Sequence, residues 1–524
     1  MGGNTYTGLA KHEKYHKMYI PNDIFWGLGV EHEVYIETSR KKRIPIEELA
    51  TKTKRERYSV DYLAVYKPGV YADAIAKLIA RFTSLNVKSV HVPILLNAHS
   101  FTNCDARGEH KTLYTSKVPA PINPMFNGKT LFDDILAKSG TLASAYENEF
   151  LFDGDTIEFT TLNFRNATID GVICELREQE DRFIGELNKV AEAAAPTSVL
   201  KYGPFKIARD NYAFASYMTN LNHNAMFNNG TIHINITLPT ELDEKGHIRD
   251  MVTFTAAHKR LARIIQWFEP FIIAVYCTRD PLSNLNLRCL PSKASQRLAV
   301  SRYIGIGTYD TEQMLPGKIL KVPKEGLWPA GVKSWYDMYE EDSAYMQLDD
   351  VGMDINFNKH YNHGLELRFL DSMPIETLRC VLEDICLIAN YSTSTQHDIS
   401  DPRISGVWHG IVNGIMRYGS GGYILSDEEC AKIQREIGCG GGVRSATMKG
   451  DLLCTRNIEG MYLSILNEYN KLYGRRGSMT CAFGTGIENV RRLSTTANKG
   501  SVKNIEVTGC CGISSIWSKN SAAK

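Results

Sequence analysis

The sequence predicts an α+β fold, a sheet with one apolar and one charged face flanked by helices and followed by a helical C-terminal region. Three observations predict it. Several segments alternate apolar and polar residues with period two, the signature of half-buried strands. Asp153-Gly154 lies between two β-prone runs and signals a tight antiparallel hairpin. Between and after these strands, long segments repeat apolar residues at helical spacing.

Residues 1–23 read as an extended leader, and a strand over 27–37 opens the sheet. Side chains alternate along a strand, so Glu31 and Glu33 share a face. Neighbouring carboxylates repel, and a cation between them removes the repulsion. Hard divalent ions such as Mg²⁺ take oxygen ligands of this kind. A solvated strand face is the plain alternative for one such pair. Residues 73–85 form a helix with Ile75, Leu78, Ile79, Phe82 and Leu85 on one side, and Val87–Asn97 a strand. Residues 98–145, rich in Gly, Pro and Asn, read as loops shaping a substrate entrance.

The hairpin spans 146–162. With Asp153 and Gly154 as its loop, Leu151 pairs with Thr156 and Phe150 with Ile157, so Glu149 lands opposite Glu158. Like charges across a ladder destabilise it, and a shared cation would relieve them; another register separates the two. A helix over 170–195 turns Leu176, Ile184, Leu187 and Ala191 inward. The strand 229–238 places His233 and Asn235 opposite a face of Ile232, Ile234, Ile236 and Leu238. A helix over 250–268 buries Phe254, Ala257, Leu261, Ile264 and Phe268, and the apolar run 271–277 is a buried strand or helix end. The strand 363–371 sets Glu366 and Arg368 against Leu365, Leu367 and Phe369. Ser372 and Pro374 open the next helix as cap and first-turn proline, with Leu378, Val381, Leu382, Ile385 and Ala389 buried. Residues 400–475 are mainly helical, with Ile458, Met461, Tyr462, Ile465, Tyr469 and Leu472 in period. A lone strand histidine is often structural, and a Glu-X-Arg pair is often a salt bridge. Four strands that each carry acid, imidazole or guanidinium groups on one face point instead to a single site.

In this order, Glu-X-Glu, Glu-Phe-Thr-Thr, His-Ile-Asn and Glu-Leu-Arg-Phe-Leu-Asp-Ser, the chain resembles the glutamine synthetase and glutamate–cysteine ligase superfamily, closest to its amidoligase branch. The resemblance covers roughly residues 24–390. It implies a curved, mainly antiparallel sheet and an ATP-dependent ligase that joins a carboxylate to an amine through an acyl phosphate, with glutamate the natural acid. It implies that Glu31, His233 and Glu366 match the ligands of one Mg²⁺ or Mn²⁺ ion. Glu33 and Glu158 match a second, with Glu149 a further partner. Arg368 matches the arginine that meets phosphate or substrate carboxylate, and His233, Asn235 and Arg368 line the ATP–metal face. Phosphoryl transfer needs charge neutralisation and positioning above all, and these residue types supply both. A guanidino phosphotransferase on the same sheet, and a non-catalytic ligase-like assembly protein, are the alternative readings.

Residues 279–309 combine Ser295-Gln-Arg297 and Ser301-Arg302 with Gly305-Ile-Gly307. Ligases of the superfamily look similar here, which implies that Arg297 or Arg302 binds carboxylate or phosphate; a basic surface loop with structural ion pairs is the other reading. Gly305-Ile-Gly307 lacks the third glycine of a dinucleotide fingerprint. Residues 310–350 read as an insertion over the site.

With 524 residues and 43% hydrophobic content, the chain can bury a large core. Lys plus Arg number 60 against 59 Asp plus Glu, a balance that argues against a nucleic-acid binder. The predicted organisation is a leader (1–23), a ligase-like domain (24–390) with insertions at 98–145 and 310–350, a helical region (391–475) and a basic tail (476–524). The expected partners are small-molecule or peptide carboxylates and amines, with a second copy of the chain in a homo-oligomer. The first residues are polar and carry no signal-peptide core. No apolar run reaches bilayer length. The twelve cysteines include no Cys-X-X-Cys pair and read mostly as buried thiols. A cytoplasmic location is therefore expected.

Overall fold

The computed structural model of the protein describes residues 19–34, 36–38, 43–45, 89–91, 138–146, 148–153, 156–194, 204–207, 230–276, 317–318, 355–358, 362–402, 405–438 and 456–473. The strands are β1 (Ile24–Val34), β2 (Ile36–Thr38), β3 (Arg43–Pro45), β4 (Ser89–His91), β5 (Phe150–Asp153), β6 (Thr156–Thr160), β7 (Phe205–Ile207), β8 (Thr231–Glu241), β9 (Gly317–Lys318), β10 (Ile355–Phe357) and β11 (Leu365–Asp371). The helices are α1 (Gly140–Ala145), α2 (Ile169–Ala194), α3 (Met251–Tyr276), α4 (Ile375–Ser394), α5 (Gly406–Tyr418), α6 (Asp427–Ile437) and α7 (Ile458–Tyr473).

Among the described residues, seven strands form an open antiparallel sheet in the order β5-β6-β1-β8-β11-β10-β9. The fold is α+β, as the alternation predicts. The strand expected over 27–37 begins earlier, at Ile24, and splits: β1 ends at Val34, and β2 pairs with β7 in a separate two-stranded ribbon.

One face of the sheet is apolar. Val30 and Val34 of β1, Ile232, Ile234, Ile236 and Leu238 of β8, and Leu365, Leu367 and Leu370 of β11 are at most 2% exposed. Burying each such side chain contributes about 1.5–3 kcal/mol. Helices α2, α3 and α4 cover this core, α2 on β1 and β6, α3 and α4 on β8, and α3 also on β11. Along α2, Leu176 and Leu187 point inward as predicted, but Phe183 fills the place expected for Ile184, which is half-buried.

Phe183 also explains the hairpin. The observed register pairs Leu151 with Glu158, Phe152 with Ile157 and Asp153 with Thr156, one residue further along each strand than predicted. Phe150 thereby faces Phe159, and both rings meet Phe183 edge-on at 4.8 and 5.4 Å. Aromatic packing overrides the preference of Asp153-Gly154 for the turn centre.

Helix α3 runs well past the predicted end, through Pro270, and takes in the apolar run 271–276 as helix. A proline leaves the carbonyl four residues earlier without its partner. Here the indole Nε1 of Trp408 on α5 donates to the Gln266 carbonyl at 2.7 Å, so the orphaned acceptor is satisfied from outside. At the start of α4, Pro374 is the capping residue and no side chain caps it; Ser372, predicted to do so, is engaged elsewhere. The predicted stripe of α4 is buried, and so is that of α7, except that Leu472 is exposed and Leu466 is buried instead. Helices α5, α6 and α7 pack on α3, and α7 also on α4. Cys380, Cys386 and Cys430 are buried, Cys174 is exposed, and burial pushes the Cys386 thiol up to about 12.

The helix expected over 73–85, Arg297 and Arg302, the Gly305-Ile-Gly307 loop, most of both insertions and the basic tail lie outside the described residues. No helix among the described residues is long and apolar enough to cross a membrane.

Candidate metal centre on the charged face of the sheet

The face opposite the core is built from three cross-strand rows. Residues directly paired across antiparallel strands share a face. The first row pairs Thr160 with Glu31 and Glu31 with His233. The second joins Glu158, Glu33, Thr231 and Asp371. The third joins Gly29, Asn235, Glu366 and Asn356. These groups are removed from water: Glu31 is 4% exposed, His233 2% and Glu366 2%.

Arg368 lies beside the first row, within the irregular stretch of β11. The register with β8 shifts between Leu367 and Leu370, so Leu370, rather than Phe369, meets Ile232 on the core side. Such a bulge re-aims the side chains within it. The Arg368 guanidinium donates to Glu366 Oε1 at 2.7 Å and lies 3.3 Å from His233 Nδ1.

His233 is contacted from both edges of its ring. Thr231 Oγ1 donates its one hydrogen to Glu33 Oε2 at 2.7 Å and lies 3.2 Å from His233 Nε2. Burial, and then the nearby Arg368, lower the imidazole to about 3, so the ring is neutral at physiological pH. Its Nδ1 faces Glu31 Oε2 at 3.1 Å and Glu366 Oε1 at 3.6 Å. One ligand atom from each of Glu31, His233 and Glu366 lies within 4.8 Å of the other two. One imidazole nitrogen and two carboxylates converging on one region are a donor set that fits a divalent cation.

The other predicted residues fall as follows. Glu33 reaches to 3.6 Å from His233 Nε2, on the opposite edge of the ring from the triad. Glu158 sits opposite Glu33, as one of the pair expected to share a second ion, and accepts from Thr160 Oγ1 at 3.2 Å. Asn235 is buried between Gly29 and Glu366. Glu149 does not oppose Glu158. The one-step shift of the hairpin moves it to the Thr160 position, and its side chain is ion-paired with Arg182 of α2.

Four contributors went unread. Thr231 stands two residues before His233, and alternation alone places it on the same face. Asn356 donates to Glu366 Oε2 from β10, which has no strand signal of its own. Asp371 joins the second row only because of the bulge. Phe164 closes one end of the face: a Cβ on Gly27 would lie 2.0 Å from its ring, which also stacks on His363 at 4.2 Å. Gly230, with φ of 93°, lets β8 start against β1, since a Cβ there would meet the Glu33 carbonyl at 1.9 Å.

Fold and site together define an α+β protein whose open antiparallel sheet carries a buried His–carboxylate triad opposite its core. The chain belongs to the family of the uncharacterized protein R704 of Acanthamoeba polyphaga mimivirus. The two are 35% identical over 401 residues, which cover 76% of this chain and 68% of the viral protein. No family model matches the chain.

Proposed function

We propose that this protein is an ATP-dependent carboxylate–amine ligase of glutamine synthetase-like type. The observation that carries the reading is the convergence of Glu31, His233 and Glu366 on one face, beside Glu33, Glu158 and Arg368. In the reaction a substrate carboxylate, glutamate or a similar acid, attacks the γ-phosphorus of ATP and ADP leaves. The amine then attacks the acyl carbon and phosphate leaves, giving the amide.

Glu31, His233 and Glu366 hold one Mg²⁺ or Mn²⁺ ion, and Glu33 with Glu158 a second. When bound, these ions neutralise phosphate charge. Thr231, 3.2 Å from His233 Nε2, helps hold the ring with Nδ1 toward the triad. Arg368, part-buried at the edge of the triad, offers a planar fork to the transferred phosphoryl group or the substrate carboxylate. Its position beside Glu366 keeps that fork in place while the pair remains charged.

The test is phosphate release from Mg-ATP by the purified chain, with glutamate and a pool of amines, beside Glu33→Gln. Release that needs the added acid and is lost in the variant supports the ligase. ADP formed without free phosphate supports a phosphotransferase instead. An absence of both ATP turnover and Mg-ATP binding overturns the enzymatic reading.

A further inference from the structure

On the core side of β1, between Glu31 and Glu33, His32 is 3% exposed. Its Nδ1 donates to Glu180 Oε1 at 2.6 Å, and its Nε2 lies 2.9 Å from Ser372 Oγ. Glu180 belongs to α2, and Ser372 to the junction between β11 and α4. All three are buried.

The route of this chain is informative. His32 is paired with Ile232 of β8, and Ile232 with Leu370 of β11. The contact from His32 to Ser372 therefore passes beneath β8 and ties β1 to β11, two strands that are not neighbours in the sheet. The triad takes one residue from each of these three strands. The β1–β8 ladder runs unbroken through Glu31 and His233, but the β8–β11 ladder shifts beyond Leu367, between Glu366 and the end of the strand. Past that shift, the His32–Ser372 contact gives the end of β11 a second tie, to β1. A backbone bond from Ser372 N to the Gly230 carbonyl at 3.0 Å draws the three strand ends together.

Stability alone does not explain these residues. Val30 and Val34 fill the same face of β1, and a third apolar side chain would bury there without desolvating an imidazole, a carboxylate and a hydroxyl. Replacing such buried polar sets by apolar groups is often neutral or stabilising.

We propose that His32, Glu180 and Ser372 are positioning residues, a bolt under β8 that fixes the separation of Glu31 and Glu366 about His233. The inference rests on the triad being a cation site. Groups that orient ligands from behind typically tune metal affinity 10- to 100-fold.

The experiment is a Mn²⁺ titration of the full chain, with free Mn²⁺ followed by electron paramagnetic resonance and a thermal melt of each variant. Ser372→Ala should bind Mn²⁺ about 10-fold more weakly than the unsubstituted chain. Ser372→Thr, which restores the hydroxyl, should recover most of that loss. Ile465→Val, in the buried stripe of α7, should lower the melting temperature without changing Mn²⁺ affinity. Equal binding by Ser372→Ala and the unsubstituted chain, or an equal loss in Ile465→Val, overturns the positioning role. If Ser372→Ala does not fold, Glu180→Gln decides in the same way: weakened binding supports the bolt and unchanged binding overturns it. An unsubstituted chain that binds no Mn²⁺ overturns the cation site itself, and the bolt with it.

Discussion

Two regions of the molecule bury acids, and they do so differently. In the helical layer, Asp384 of α4 accepts from the hydroxyls of Tyr276 at 2.5 Å and Tyr462 at 2.6 Å. Burial pushes its carboxyl up to about 6. The adjacent Glu383 has no hydrogen-bond partner on either oxygen, and burial, reinforced by Asp384, pushes it up to about 7. Protons can therefore settle this cluster, and phenol hydroxyls close it. On the sheet, Glu31, Glu33, Glu158 and Glu366 share one face with an imidazole that burial keeps neutral. Nδ1 of that ring faces two of the carboxylates. The lesson is that burial of acids alone does not set a donor cluster apart. The convergence of nitrogen and oxygen ligand atoms does.

The sharpest break of this comparison is to remove one acid from each region. Glu31→Gln should lower acid-dependent phosphate release about 100-fold or more, since loss of a cation contact costs several kcal/mol in the transition state. Asp384→Asn should leave that release near its starting value. Equal losses in the two variants would erase the distinction.

Within the helical layer, Trp408→Phe should cost about 1–3 kcal/mol, because it strips the partner from the Gln266 carbonyl left open by Pro270. Urea unfolding measures this, and an unchanged midpoint would mean that the carbonyl finds another donor.

Acidity separates the buried groups of the helices further. His258 donates from Nδ1 to the Phe254 carbonyl and accepts from Leu238 N at Nε2, so it must stay neutral. Burial lowers it from 6.5 to about 4. Its contribution to stability is complete above pH 6.5 and is lost as the pH falls toward 4. Asp384 and Glu383 run the other way. Their folded values lie above the ordinary 3.8 and 4.5, so their contribution is present at low pH and is lost as the pH rises through about 6 and 7. Asp384→Asn should therefore lose more stability relative to the unsubstituted chain at pH 5 than at pH 8, by urea midpoints. Nitrogen NMR of His258 should find the ring neutral at pH 5.5.

The smallest effect is expected at Glu149. Its ion pair with Arg182 is part-exposed, and such pairs contribute less than about 1 kcal/mol. Glu149→Gln should leave Mn²⁺ affinity unchanged, and a clear loss would return Glu149 to the cation site.

Much of the site's face was legible because alternation is a local property. Glu31 and Glu33, His233 and Asn235, and Glu366 and Arg368 were each paired from the sequence, and the structure brings these three strands side by side. What alternation cannot see is register. The Asp153-Gly154 turn pointed to one pairing, and packing of Phe150 and Phe159 on Phe183 selected another, which took Glu149 away from Glu158. The bulge in β11 was hidden for the same reason: Phe369 was read as core, Leu370 beside it is equally apolar, and both are buried. Ser372 looked like a helix cap, since a serine two residues before a proline carries that local signal. Its true partner, His32, lies 340 positions away. Helix α3, expected over 250–268, runs on through Pro270. The donor that lets it continue comes from α5, which no local window contains.

That donor has a practical consequence for anyone shortening the chain. Trp408 satisfies a carbonyl 142 residues earlier in the chain, so α3 is not a finished object until α5 has been made. A fragment ending at residue 390, where the sequence seemed to offer a boundary, would leave an open carbonyl in the helix that roofs β8 and β11. It should express poorly or precipitate even though every strand of the charged face is present. A fragment that extends past α5 restores the donor, and the solubility of the two products would show where the smallest self-sufficient piece ends.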